Sequence, residues 1–205
     1  MKMSILAPLS VALACASGAT FATPAAVGQP APVFSTTDVD GKAVALADFK
    51  GRTVVLEWVN PECPYVRKHY GSANMQATQK AATAKGVVWL AVNSTEARHV
   101  DYKPPAAMAA WMKNQGAAAT ATLIDADGKI GRAYGARTTP HMYVIDARGT
   151  LVYAGGIDDK PSANPADVKT ATNHVTAALA DVLAGRPVAQ PTTRPYGCSV
   201  KYADG

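Results

Sequence analysis

The sequence predicts an α/β fold with a central mixed β-sheet flanked by helices. Three observations indicate this class. Strand-like and helix-like segments alternate through the first half of the chain, a pair of strand-like segments precedes the last helix, and the segment TVVLEWV (Thr53–Val59) is dense in β-branched residues. Such a run is typical of a buried central strand. Alternating strands and helices favour a sheet covered on both faces.

The early elements follow from turn and helix-start signals. Asp40-Gly41 lies between two alternating runs and predicts a hairpin turn. After the central strand, a helix is expected to begin at Cys63 or Pro64, because proline is favoured at the first helical position. We expect that helix to continue to about Ala84, with a weak point at Gly71.

The later elements are predicted from apolar patterning and from Gly and Pro positions. The final helix is expected over 164–185, with Asn164 as its N-cap and Gly185 as its stop. The segments before it are predicted as a strand at 86–94, a loop at 95–105, a helix at 106–116, a short strand at 121–125, a short helix at 128–135, and strands at 138–146 and 149–158.

The chain divides into three regions. Residues 1–22 combine a basic start, an uncharged apolar run and small residues, which predicts a cleaved signal peptide and a periplasmic or secreted protein. Cys15 follows Ala-Leu-Ala, which lacks the leucine usual at the first of these positions, so a lipoprotein is not expected. Residues 23–187 are long enough for one domain with a substantial core. Residues 188–205 form a proline-rich tail, which we expect to wander over the surface.

The charged residues exclude one function class. The formal net charge is +5, but the basic residues are scattered and form no run or stripe. This pattern indicates a solvated surface rather than a nucleic-acid site. The sequence also shows no nucleotide or flavin signature, so no cofactor is expected.

Cys63 is the first candidate for chemistry. It lies between the predicted central strand and the start of a helix, where unpaired backbone N–H groups and the helix dipole favour a thiolate, which is the reactive nucleophile. Arg67 and Lys68 on the next turn would add to this effect, and Glu62 would oppose it. A cysteine that only caps the helix or forms a structural bond is the alternative.

A family resemblance is carried by two stretches. APVFSTTDVDGKAVALADFKGRTVVLEWVNPECPYVRKHY and YGARTTPHMYVIDARGTLVYAGGIDD resemble the two halves of redoxins, the thioredoxin-fold group that includes peroxiredoxins and exported thiol-disulfide oxidoreductases. The resemblance implies a thioredoxin-like fold, in which Thr139-Pro140 supplies a cis-proline facing Cys63. It also implies a thiol oxidoreductase or antioxidant activity.

The chain departs from both kinds of redoxin. Val66 stands where thioredoxins carry the second cysteine of a Cys-x-x-Cys pair. Asn60 stands where typical peroxiredoxins carry Thr or Ser, which puts peroxidase activity in question. Arg137, near Pro140 in sequence, is our candidate for the catalytic arginine usual in peroxiredoxins, with a surface arginine as the alternative.

Cys198, in the tail, is the candidate partner of Cys63. After oxidation of Cys63 by peroxide, a second thiol would condense with the sulfenic acid, and a cysteine on a flexible tail suits that resolving role, within one chain or across a homodimer. A permanent Cys63–Cys198 disulfide in a redox-inert binding module is the alternative. The expected substrates are a peroxide or a protein disulfide, and electrons would come from an external thiol, such as a thioredoxin-like protein.

Three further expectations concern side chains outside this pair. His141 follows Pro140 and could lie near Cys63, so a copper-binding chaperone is a further alternative. Our main expectation is that there is no metal site, because the cysteine pair usual in such proteins is missing. Tyr65 and Tyr70 are expected to form a shallow apolar rim. The tryptophans, Trp58, Trp89 and Trp111, are expected in the core.

Overall fold

The computed structural model describes residues 25–203 of the chain. The predicted signal peptide and Cys15 lie outside the described residues. Within them, the structure has the following strands and helices in chain order: β1 (Ser35–Thr37), β2 (Ala43–Ala45), β3 (Val54–Trp58), α1 (Pro64–Gly71), α2 (Asn74–Thr83), β4 (Val88–Asn93), α3 (Pro105–Asn114), β5 (Ala121–Ile124), α4 (Lys129–Tyr134), β6 (Thr138–Thr139), β7 (His141–Ile145), β8 (Leu151–Gly155), α5 (His174–Leu183) and β9 (Cys198–Ser199).

A five-stranded mixed sheet in the order β5-β4-β3-β7-β8 forms the centre of the molecule. β3 runs parallel to β4, with Val54 opposite Val88, and antiparallel to β7, with Val54 opposite Ile145. Every residue of β3 and β4 is buried, as expected for strands covered on both faces. The predicted α/β class with a central mixed sheet is therefore confirmed.

The two faces of the sheet carry separate cores because alternate residues of each strand point in opposite directions. On β3, Val55 packs with side chains of α1, α2, α3 and α5. Its neighbours Leu56 and Trp58 pack on the other face, with Ile130 and Tyr134 of α4. Of the three tryptophans, Trp58 and Trp89 are fully buried and Trp111 is only partly buried.

The predicted hairpin and loop are present. β1 and β2 pair antiparallel around the turn at Asp40-Gly41, where Gly41 has φ +77°. Residues 95–104 contain no helix or strand, as their polar sequence and the Pro104-Pro105 pair at its end predict.

The prediction of one helix from Cys63 to Ala84 is wrong. α1 ends at Gly71, and Ala73 takes the left-handed conformation, with φ 60°, before α2 begins at Asn74. The chain changes direction there, and the Gln76 side chain donates hydrogen bonds to the Tyr70 carbonyl and to the Gln115 carbonyl just after α3. These tertiary contacts stabilise a break that the local sequence marks only weakly.

The final helix is also divided. Asn164 caps a 3-10 helix (Pro165–Thr170), and the α-helix itself begins only at His174, where Asn173 accepts from the Thr176 amide at 2.9 Å. The predicted N-cap therefore caps a different element. No helix among residues 25–203 is long and apolar enough to cross a membrane.

The tail is hydrogen-bonded to the domain, and the expectation that it wanders over the surface is therefore wrong. β9 pairs antiparallel with β6. On the edge strand β8, the Ala154 carbonyl accepts from the Thr193 amide, and the Ala154 amide donates to the Pro191 carbonyl. Further along, the Tyr202 hydroxyl donates to the Ala136 carbonyl at 2.8 Å. A proline-rich segment is held in place here because its amides and side chains find partners on the domain.

Candidate active site

Cys63 lies at the carboxyl end of the central strand, as the N-cap of α1, and it is only 2% exposed. Its Sγ makes no capping hydrogen bond with the helix amides. Instead, the thiol donates to the Thr139 carbonyl at 3.0 Å. The sequence therefore predicts the position of the cysteine correctly, but the expected contact between sulfur and the first turn of the helix is not formed.

The segment facing Cys63 is the short strand β6 and the residue after it. The Thr139–Pro140 peptide bond is cis, as the redoxin resemblance implies. β6 pairs with β9 in a register that sets Thr139 opposite Cys198. The same residue thus contacts Cys63 through its carbonyl and pairs with Cys198 through its backbone.

Gly197 allows this close approach. A Cβ at this position would collide with the Thr139 carbonyl, and the backbone has φ +137°, which side chains rarely adopt. The glycine before the second cysteine is therefore required for the tail to reach Thr139.

The two cysteines are both free thiols, Cys63 buried and Cys198 partly buried. Burial raises the pKa of Cys198 to about 12, with further increases from its hydrogen bond with Cys63 and from repulsion by a Cys63 thiolate. Lys201 acts in the opposite direction. The reduced pair therefore keeps a proton on Cys198.

The charged neighbours that the sequence assigns to Cys63 are engaged elsewhere. Arg67 donates to the Pro61 carbonyl at 2.8 Å and pairs with Glu62. Glu62 also pairs with Lys103 at 2.7 Å, and these cations lower its pKa. Lys68 points into the protein and approaches Asp158.

The groups predicted for peroxide chemistry do not converge on the thiol. Both ends of the Asn60 amide have protein partners: its Oδ1 accepts from the Glu62 amide at 2.8 Å, and its Nδ2 donates to the distant Thr95 hydroxyl at 3.3 Å. The Arg137 side chain is exposed and makes no hydrogen bond within residues 25–203. Close to the cysteines, the buried Thr139 Oγ1 has no hydrogen-bond partner in the same part of the chain.

The family model described as Redoxin matches residues 26–173, which is most of the chain and includes Cys63 and the cis-proline segment.

The chain belongs to the Redoxin family.

Comparisons with relatives and with solved structures support a thioredoxin-like fold. The chain is 29% identical over 133 residues to the thiol-disulfide oxidoreductase ResA of Bacillus thuringiensis subsp. konkukian (strain 97-27), covering 62% of this chain and 67% of the relative. An uncharacterised conserved protein from Geobacillus kaustophilus has a TM-score of 0.77 at 29% identity, covering 88% of this chain and 94% of that one. A putative thioredoxin from Neisseria meningitidis has a TM-score of 0.50 at 24% identity, covering 62% and 79%, and it shows the fold alone.

His141 lies on the face of the sheet opposite Cys63. Its ring packs on Tyr143 with centroids 4.5 Å apart, within the core that contains Trp58, whereas Cys63 belongs to the other core. Burial and the nearby Arg137 lower the pKa of His141 to about 3. No cluster of three metal-ligating side chains occurs among residues 25–203. The geometry does not bring together the pair that the copper hypothesis requires.

Sequence reasoning missed a buried carboxyl group in this domain. Glu57, on β3, is fully buried and accepts from Tyr70 at 2.9 Å, from Trp89 at 2.7 Å and from Gln79 at 3.0 Å. Tyr70 is therefore a core residue and not part of an exposed rim, while Tyr65 remains partly exposed. The signal was present, because one acidic residue in a continuous buried strand requires partners.

A second missed group connects the tail to α1. Tyr196 contacts Lys68, His69 and Asp158, all of which are buried. The sequence gives no local signal for this group, because its members come from three distant segments of the chain.

Proposed function

We propose that this protein is an exported thiol-disulfide oxidoreductase in which Cys63 is the exchanging nucleophile and Cys198 is the resolving cysteine. The observation that carries the proposal is the β6–β9 register, which sets Cys198 opposite the residue whose carbonyl accepts the Cys63 hydrogen bond. The name of the Bacillus relative supports the same class of reaction.

The reaction has two exchanges. The Cys63 thiolate attacks one sulfur of a protein disulfide, the partner's S–S bond breaks, and a partner thiolate leaves. Cys198 then loses its proton and attacks Cys63 Sγ in the mixed disulfide, and the second partner thiolate leaves and takes up a proton. The two cysteines lose two electrons and two protons, the partner gains both as a dithiol, and an external thiol protein returns the pair to the reduced form.

A protein disulfide is the favoured substrate over a peroxide. Peroxide reduction requires polar groups that bind the peroxide beside the thiol, and here the Asn60 amide is occupied by Glu62 and Thr95 while the Arg137 side chain is exposed. Thiol-disulfide exchange needs only the attacking sulfur and a second thiol. We therefore keep peroxide reduction, with Arg137 as its candidate arginine, as the weaker alternative.

Trapping the mixed disulfide tests the proposal. The Cys198→Ser variant, incubated with glutathione disulfide, is expected to accumulate glutathione on Cys63, because no second thiol completes the exchange. The wild type is expected to form a Cys63–Cys198 bond and to release two glutathione thiols. Peptide mass spectrometry distinguishes these products.

Two controls separate the alternatives. Cys63→Ser is expected to yield neither product, and hydrogen peroxide is expected to oxidise Cys63 more slowly than the disulfide does. If Cys198→Ser forms no glutathione adduct while the Cys63–Cys198 bond of the wild type resists mild thiol reductants, the two cysteines form a structural disulfide and the proposal is wrong.

A further inference from the structure

A polar cluster lies beneath the tail, beside the two cysteines. It consists of Lys68, His69, Asp158 and Tyr196, and we call it the Tyr196 cluster. The side chains of Lys68 and His69 are 0% exposed and that of Asp158 is 1% exposed. Buried charged groups require complete hydrogen bonding, so each contact in this cluster affects whether the tail stays in place.

The Tyr196 hydroxyl is the central atom of the cluster. It donates to Asp158 Oδ1, it accepts from Lys68 Nζ at 3.3 Å, and it lies 3.1 Å from His69 Nε2. Lys68 Nζ also donates to the Lys160 carbonyl at 2.7 Å and approaches Asp158 Oδ2 at 3.5 Å.

The His69 tautomer follows from its other contact. Asn74 Nδ2 can only donate, and it lies 2.9 Å from His69 Nδ1, so Nδ1 accepts and Nε2 carries the hydrogen. His69 therefore donates to Tyr196. Asp158 Oδ2 lies 3.9 Å from His69 Nε2, which is too far for a hydrogen bond, so it does not replace Tyr196 as the acceptor when the tail leaves unless it moves.

The tyrosine ring adds packing on the surface side. The ring of Tyr65 packs edge-on against that of Tyr196, with centroids 5.8 Å apart, and Lys68 Nζ lies 5.3 Å from the Tyr196 centroid. Tyr65, Lys68 and His69 belong to α1, the helix that Cys63 caps, and Tyr196 is two residues before Cys198. The cluster thus joins the two cysteine-bearing segments directly.

We propose that Tyr196 is the positioning residue that locks the tail across Cys63, so that it both sets Cys198 against Cys63 and keeps other sulfur compounds away until the tail opens. The first part rests on the proposed function. The second rests only on the burial of Cys63 beneath docked residues, and it can be tested without catalysis.

Alkylation of Cys63 in the reduced, full-length protein is the test. Iodoacetamide can reach Cys63 only after local opening, so the rate of labelling is proportional to the open fraction. Tyr196→Phe keeps the ring but loses the hydroxyl bonds to charged partners. We expect Cys63 to be labelled roughly tenfold faster in this variant, from the usual size of such hydrogen bonds. Peptide mass spectrometry quantifies each cysteine separately.

A matched control separates tail opening from general destabilisation. Tyr134→Phe also removes a buried hydroxyl, which donates to the Pro32 carbonyl at 2.8 Å on the opposite face of the sheet. Labelling of Cys63 in Tyr134→Phe is expected to match the wild type. Equal rates in Tyr196→Phe and the wild type, or equal acceleration in both variants, would overturn the proposal.

A second measurement uses the wild-type protein and does not depend on the folding of a variant. The Val200 amide donates to the Arg137 carbonyl only while the tail is docked. Its hydrogen exchange should report the same opening as Cys63 labelling, with a lower opening free energy than the amides of β3. Labelling governed by global unfolding would refute the tail-locking role.

The two proposals fail separately. Fast labelling of Cys63 in Tyr196→Phe, together with no glutathione adduct in Cys198→Ser, would retain the locking of the tail by Tyr196 and reject the exchange reaction. An adduct in Cys198→Ser with unchanged labelling in Tyr196→Phe would retain the exchange reaction and reject the locking of the tail by Tyr196.

Discussion

Glu57 is an ionisable side chain in the middle of the sheet, and its environment decides its charge. Burial raises the pKa of Glu57 to about 7, although hydrogen bonds from Trp89, Tyr70 and Gln79 act to lower it. Desolvation therefore outweighs three donors at this residue. The sequence alone shows an acidic residue in a buried strand, but only the packed side chains of α1, α2 and β4 show how it is accommodated.

Glu57→Gln is predicted to change the pH dependence of stability. In the unfolded chain the carboxyl has its ordinary pKa of 4.5, so the stabilisation from the neutral group is fully present below that pH and is lost as pH rises through about 7. The variant does not titrate. We expect the free energy of unfolding of Glu57→Gln, minus that of the wild type, to rise by roughly 2 to 3 kcal/mol between pH 5 and pH 8.

Urea unfolding at both pH values measures this difference. The buried histidines, His69 with its pKa lowered by burial to about 4 and His141 to about 3, titrate equally in both proteins and cancel in the subtraction. A difference that does not change with pH would show that Glu57 is ionised in the folded protein at pH 5.

At the scale of elements, the break between α1 and α2 is the main departure from the predicted order. Ala73 is exposed and has φ 60°, which costs an L-residue about 1 kcal/mol or more. The sequence marks this region with Gly71, two residues earlier, so the weak point was predicted but not the conformation. The direction of α2 depends on contacts such as Gln76 with Gln115, which no local pattern contains.

Ala73→Gly is predicted to stabilise the protein by roughly 0.5 to 1 kcal/mol, because relief of strain exceeds the extra entropy of glycine in the unfolded chain. Ala77→Gly is the matched control, since Ala77 is exposed within α2, and it should destabilise by about 1 kcal/mol. Thermal or denaturant unfolding gives both values. Destabilisation by both variants would mean that Ala73 is not strained.

In the whole molecule, the tail packs against the domain. It thereby brings Cys198 close to Cys63, although most of the domain separates them in the sequence. It pairs with β6, contacts β8 and contacts α4 through Tyr202, which packs against Gly128 and Gly131. The prediction of a wandering tail failed because composition reports only the absence of regular structure. It does not report whether the segment finds partners on the folded domain.

Oxidation is predicted to stabilise the protein by constraining the unfolded chain. A Cys63–Cys198 bond would close a loop that spans most of the domain, worth up to about 5 kcal/mol in the chain-entropy model. We expect the oxidised wild type to unfold at higher denaturant concentration than the reduced wild type, with Cys198→Ser insensitive to oxidant. Equal midpoints in the oxidised and reduced wild type would indicate that the disulfide strains the folded state by a similar amount.

The sequence by itself determined the α/β class, the buried central strand, the position of Cys63 before a helix and, through the redoxin resemblance, the cis bond before Pro140. The first three features depend on local patterns of apolar, proline and cysteine residues, whereas the cis bond is what the resemblance implies. The tertiary structure alone decided that Cys198 lies opposite Thr139, that His141 lies on the other face, and that Tyr196 reaches buried partners on α1. These are contacts between residues far apart in the chain, and they form only where packing satisfies buried polar groups.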